Sequence, residues 1–134
     1  MSNSFLNNKT FQFWTYTVSH GFLILRAPLY TPDKSDPYYD PELSFNVDIE
    51  FTDVSYIDIP SLFKGISISS IKENIPIKFM PYLNVPTRKL YQLESEDKVF
   101  YIVASYCLIG TSTWINEDRI HFMDLKYDKV LMEF

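Results

Sequence analysis

Thr10 to Val18 (TFQFWTYTV) and Phe22 to Ala27 (FLILRA), joined by Ser19-His20-Gly21, decide the fold class of this chain. Two apolar, aromatic-rich runs separated by three turn residues read as a β-hairpin. The next run agrees. Phe45, Val47, Ile49 and Phe51 alternate with Asn46, Asp48, Glu50 and Thr52, a period of two that places one face in a core and the other in water. In the first run the alternation predicts Phe11 and Phe13 on one face and Trp14, Tyr16 and Val18 on the other. Arg26 interrupts the second, and because a lone buried guanidinium is costly, it is expected at a strand end or against a carboxylate.

Outward from these strands, residues 28–42 (PLYTPDKSDPYYDPE) carry four prolines, at 28, 32, 37 and 41, which exclude a regular helix or a central strand. This is the clearest loop, with Tyr38 and Tyr39 at its centre. After Phe51, Asp53 marks a break in phase and Val54–Ile59 continues as a strand. Ile66 and Ile68 alternate with serines, and Ile75, Ile77 and Phe79 suggest an edge strand interrupted by Pro76. Leu90–Glu94 reads as a strand that turns at Glu96-Asp97-Lys98. Val99–Ile109 (VFYIVASYCLI) is apolar on both faces and is expected to be the central strand. Arg119–Leu125 and Val130–Phe134 supply late strands.

Together these elements predict one β-rich domain over residues 1–134, an antiparallel sandwich or partly open barrel of about 8–10 short strands. One or two short helices, near 61–74 or 86–95, would make it α+β. A chain of 134 residues buries roughly two thirds of its unfolded surface without staples. With 46% apolar and 22% charged residues, it has the composition of a folded chain rather than a disordered one.

Composition also narrows function. The formal charge is −5 and the cations are scattered, which disfavours nucleic acid, because neutralising phosphates needs clustered Lys and Arg. An acidic surface suits a basic protein partner. Aromatic residues reach 17%, and tyrosine serves both strands and partner surfaces. Cys107 is the one cysteine, so no internal disulfide forms, and its apolar neighbours predict a buried core residue rather than a nucleophile. Met1–Phe11 lacks the cationic start and apolar run of a leader, and no stretch approaches the roughly 20 apolar residues of a membrane helix. The expectation is a soluble cytoplasmic protein without a membrane partner.

No catalytic, metal or nucleotide motif is visible. Two histidines, His20 and His121, and a single cysteine give no zinc spacing. Asp33, Asp36, Asp40 and Glu42 lack the spacing and the glycine of a calcium loop. The glycines at 21, 65 and 110 fit no phosphate-binding pattern, and Ser19 beside His20 is not part of a nucleophile elbow. Asp48 and Glu50 share a strand face about 6.5–7 Å apart, a spacing at which carboxylates can divide acid and base roles, although a solvated face explains them as well.

The function read from these residues is a small non-enzymatic interaction domain, such as an immunity- or inhibitor-type protein, that binds a basic partner without a cofactor or metal. Asp48 and Glu50 would steer the encounter, and Tyr38 and Tyr39 would supply contact area. The alternative is a small-molecule carrier, a β-barrel whose pocket is lined by Trp14 and Tyr16. Pairing of two copies through an exposed aromatic face is compatible with either reading.

Overall fold

The computed structural model describes Leu6 and residues 8–134. The absence of a leader inferred for Met1–Phe11 falls largely on residues 1–5 and 7, outside the described residues. Ten strands follow in order: β1 (Thr10–Thr17), β2 (Phe22–Ala27), β3 (Asn46–Thr52), β4 (Tyr56–Asp58), β5 (Leu62–Lys64), β6 (Ser67–Ile71), β7 (Lys89–Ser95), β8 (Lys98–Ala104), β9 (Tyr106–Ser112) and β10 (Lys129–Glu133). They form two antiparallel sheets, one of six strands in the order β10-β9-β3-β2-β1-β5 and one of four in the order β4-β8-β7-β6. The mainly β, sandwich-like architecture agrees with the sequence, and the sheets do not close into a barrel.

The alternating positions of both sheets meet in the main core. Leu23, Leu25, Val47, Ile49, Phe51, Cys107 and Ile109 face Ile68, Tyr91, Leu93 and Ile102. Phe51 and Tyr91 meet edge to face with ring centroids 5.4 Å apart, the arrangement the ring quadrupoles favour. The Tyr91 hydroxyl donates to the Phe134 carbonyl at 3.0 Å, so the ring is buried without orphaning its polar end.

The run Val99–Ile109 is not one central strand. It bends at Ser105, and β8 belongs to the smaller sheet while β9 belongs to the larger. The hidden signal is a phase slip: Ile102 and Ala104 face the core, then Cys107 and Ile109. Its partner bends at the same level, where β3 gives way to β4 after Asp53, which has φ of 55°. Ser105 N donates to the Thr52 carbonyl, and the Arg88 guanidinium and the Ser105 hydroxyl both donate to the Asp53 carboxylate. A two-stranded ribbon thus turns a corner from one sheet into the other.

Two further expectations are corrected. Ile77–Leu83 is a 3₁₀ segment rather than an edge strand, since prolines at 76 and 81 deny it ladder donors. It drops Phe79 onto Leu90 and Val103 on the outer face of the smaller sheet, which explains why the Val99 run is apolar on both sides. Arg119–Leu125 is not a strand either. Residues 113–128 form an irregular strap. No helix among the described residues is long and apolar enough to cross a membrane.

Candidate functional site

The strap lies against the outer face of the six-stranded sheet, over polar side chains. Register sets the pattern: Arg26 on β2 stands directly opposite Asp48 on β3, which stands opposite Gly110 on β9. Arg26 Nε and Nη2 donate to the two Asp48 oxygens at 2.6 and 2.8 Å, a bidentate pair in which the side chains are 1% and 0% exposed. Two positions along β3, Glu50 accepts from Arg119 of the strap at 3.1 and 3.2 Å. The Tyr127 hydroxyl lies between the carboxylates, 3.1 Å from Asp48 Oδ2 and 2.7 Å from Glu50 Oε1. Its ring rests on Gly110, where a Cβ would come within 2.5 Å of Tyr127 Cγ. A glycine under an aromatic ring is what allows the strap to close.

The remaining anchors follow the same logic. Asn46 donates to the Ser112 hydroxyl and the Trp114 carbonyl and accepts the Leu29 amide, fixing both the start of the strap and the exit from β2. Trp114 packs on Tyr127 with centroids 5.0 Å apart. Asp118 is buried and accepts the amides of Ile120 and His121 and the His121 ring Nδ1. Burial drives the Asp118 carboxyl upward, but the hydrogen bonds from His121 and Ile120 outweigh it and hold it below the usual range. Asp48 and Glu50 behave oppositely. Burial, the largest influence on both, pushes their carboxyls up against the pull of Arg26, Arg119 and Tyr127. Tyr127 is pushed up by burial and by the two carboxylates beside it.

Asp48 and Glu50 therefore do not form a solvated acidic face. They are 0% and 3% exposed, so they cannot act as an open dock for a partner. The alternation put them on the polar face correctly, but local sequence carries no sign that a strap 60 to 80 positions later covers that face. Their engagement also leaves the acid–base reading without support, since each is ion-paired and both accept the same hydroxyl. Arg26 pairs with a carboxylate, one of the two options its position allowed. Arg119 and Tyr127, which complete the cluster, were not singled out. Their only sequence signal is that buried carboxylates need cations and donors from elsewhere.

Trp14 and Tyr16 do not share a face. A register shift between Phe13 and Thr15 makes a bulge at Trp14, after which Tyr16 packs against the main core. Trp14 lies on the outer side, its ring 4.7 Å from Arg26 Cζ. A carrier pocket shared by the two is not formed. Tyr38 is 77% exposed on its loop and Tyr39 is half-buried. His20 is exposed at the hairpin turn, and Cys107 is fully buried with its thiol pushed well up by burial. Among the described residues, no three His, Cys, Asp or Glu side chains converge to hold a metal.

A concavity of about 370 Å³ lies between Phe45, Val47 and Leu131, away from the strap. A smaller cleft of about 160 Å³ opens beside the cluster, lined by Trp14, Arg26, Tyr30 and Trp114 among others. The chain matches no family model, no curated protein and no solved structure.

Proposed function

We propose that this protein is a non-enzymatic interaction domain that binds a basic protein partner through the loop from Tyr30 to Leu43. The observation that carries the reading is the construction of that loop. Its ends are joined where the amides of Tyr30 and Thr31 both donate to the Leu43 carbonyl, at 2.8 and 3.3 Å. Within it, Thr31, Asp33, Asp36 and Asp40 each accept, through a side-chain oxygen, the amide two residues on. Lys9 ties the loop to the body by donating to the Glu42 carbonyl. Pro32, Pro37 and Pro41 fix φ at three further points. Such a closed, self-braced loop loses little conformational freedom when it docks.

Its chemistry suits a cationic surface. Asp33, Asp36, Asp40 and Glu42 stand against a single Lys34, and Tyr38 projects among them. The Ser35 hydroxyl and amide hold the Asp33 carboxyl below the usual range, so it is charged at neutral pH. Because Arg26–Asp48 and Arg119–Glu50 cancel internally, the formal charge of −5 belongs to the rest of the molecule, where it can steer a basic partner. An immunity- or inhibitor-type role is the form of binding this fits.

Affinity capture from native lysate tests it with three baits: wild type, Tyr38→Ala/Tyr39→Ala, and Asp33→Asn/Asp36→Asn/Asp40→Asn. Asparagine keeps a side-chain oxygen for each turn and removes only the charge. One stoichiometric basic protein on wild type, weakened by salt and by the asparagine bait and lost with the alanine bait, is the expected result. No stoichiometric partner, or one indifferent to both variants, refutes the proposal.

A further inference from the structure

The chain has two tryptophans, and both line the same cleft of about 160 Å³. Tyr30 and Ile115, 56% and 57% exposed, stand at its open side, while Arg26 and Asn46 lie buried in its wall. Asn46 is fully engaged by Leu29, Ser112 and Trp114. Arg26 is not. Its Nε and one hydrogen of Nη2 go to Asp48, and Nη1 donates to no described residue. The guanidinium is thus locked by the carboxylate on one edge and by Trp14 across its face, with the Nη1–Nη2 edge left for an acceptor.

Size, shape and charge limit what that acceptor can belong to. A cavity near 150 Å³ holds about one benzene-sized ring. Indole and phenol walls favour a flat one. Charge excludes the obvious choice of a carboxylate, because the two arginines are already balanced by Asp48 and Glu50. A further anion would have to share Arg26 with Asp48, a buried carboxylate that already neutralises it. A neutral ligand keeps the balance and still satisfies the open edge.

We propose that this cleft binds a neutral, planar, single-ring heterocycle that presents two adjacent acceptors, a carbonyl oxygen next to an unprotonated ring nitrogen, to Nη1 and Nη2 of Arg26. The O2/N3 edge of a cytosine-type ring has this arrangement. The site does not depend on the acidic loop binding a protein, although Tyr30 roots that loop at the edge of the cleft.

Because no tryptophan lies elsewhere, the two indole N–H signals in an ¹H–¹⁵N spectrum of the full chain report on the cleft alone. Cytosine is the probe, with benzoate as an anion of similar size and toluene as a ring without acceptors. Cytosine should move both indole signals saturably, and the other two should bind roughly tenfold or more weakly, the loss expected when a strong buried donor is left unpaired. Tyr30→Ala, at an exposed side chain, should weaken cytosine several-fold with the rest of the spectrum unchanged. Glu50→Gln leaves one cation unbalanced, and benzoate should then bind more tightly than to wild type. Indole signals unmoved by cytosine at about 10 mM, a concentration that would reveal even millimolar affinity, overturn the proposal. So does benzoate or toluene matching cytosine on wild type, or a response confined to residues outside the cleft.

Discussion

Gly110, Tyr127 and Glu50 show how single residues close this fold. The Tyr127 ring occupies the space a Cβ at 110 would need, so Gly110→Ala must lift the ring and break its hydrogen bonds to Asp48 and Glu50. Overpacking and a lost buried donor together should cost about 2–4 kcal/mol, measured by urea unfolding. Tyr127→Phe keeps the packing and removes only the donor, and should cost about 1–3 kcal/mol in the same assay. Glu50 gives a signed pH test. Burial raises its folded-state carboxyl above the ordinary value of about 4.3, so between the two values the folded state holds a proton that the unfolded chain has released. That contribution favours folding at low pH and is lost as pH rises through the raised value. The Tm of Glu50→Gln, relative to wild type, should therefore improve from about pH 4 to pH 7, and a steady or falling difference contradicts the assignment.

Among elements, the corner between the sheets is the feature the chain disguises best. A run such as Val99–Ile109 offers apolar, β-branched and aromatic residues interrupted only by Ser105, and propensity alone has no reason to divide it. What divides it is the pairing of Asp53 with Ser105 and Arg88, groups that meet only after the ribbon forms. Asp53 was legible as a break in phase, while the matching slip between Ala104 and Cys107 was masked because the residues around it are apolar too. The hairpin of β1 and β2 is pinned to this corner where Val54 N donates to the Gly21 carbonyl at 2.9 Å. Gly21 has φ of 54°, and a Cβ there would lie 2.8 Å from Val54 N. Gly21→Ala should destabilise by about 2–4 kcal/mol by combining left-handed strain with a backbone clash, again read by urea unfolding. The expected strand at 119–125 failed for a related reason. Arg119 reaches back to Glu50 on β3, and Asp118, just before it, accepts the amides of Ile120 and His121, so the backbone turns there rather than extending.

At the scale of the whole molecule, each sheet is covered on its outer side: the smaller by the 3₁₀ segment carrying Phe79, the larger by the strap carrying Tyr127. The thiol of Cys107 lies inside the main core and is 0% exposed. An aromatic disulfide reagent should leave it unmodified in the native protein and label one thiol per chain in denaturant. Labelling under native conditions at a rate independent of unfolding would refute this packing.

The sequence by itself determined the β architecture, the first hairpin, the inward face of β3, and the long proline-bounded loop, because period-two alternation and proline chemistry act over a few residues. Tertiary structure decided the rest. It determined that Asp48 and Glu50 are buried, that Trp14 and Tyr16 part at a bulge, and that Arg26 is buried between Asp48 and Trp14 in the wall of an aromatic cleft. Each depends on which distant segment arrives over a face, and a solvated acidic strand and a covered one read the same locally until Arg119 and Tyr127 fold back onto it.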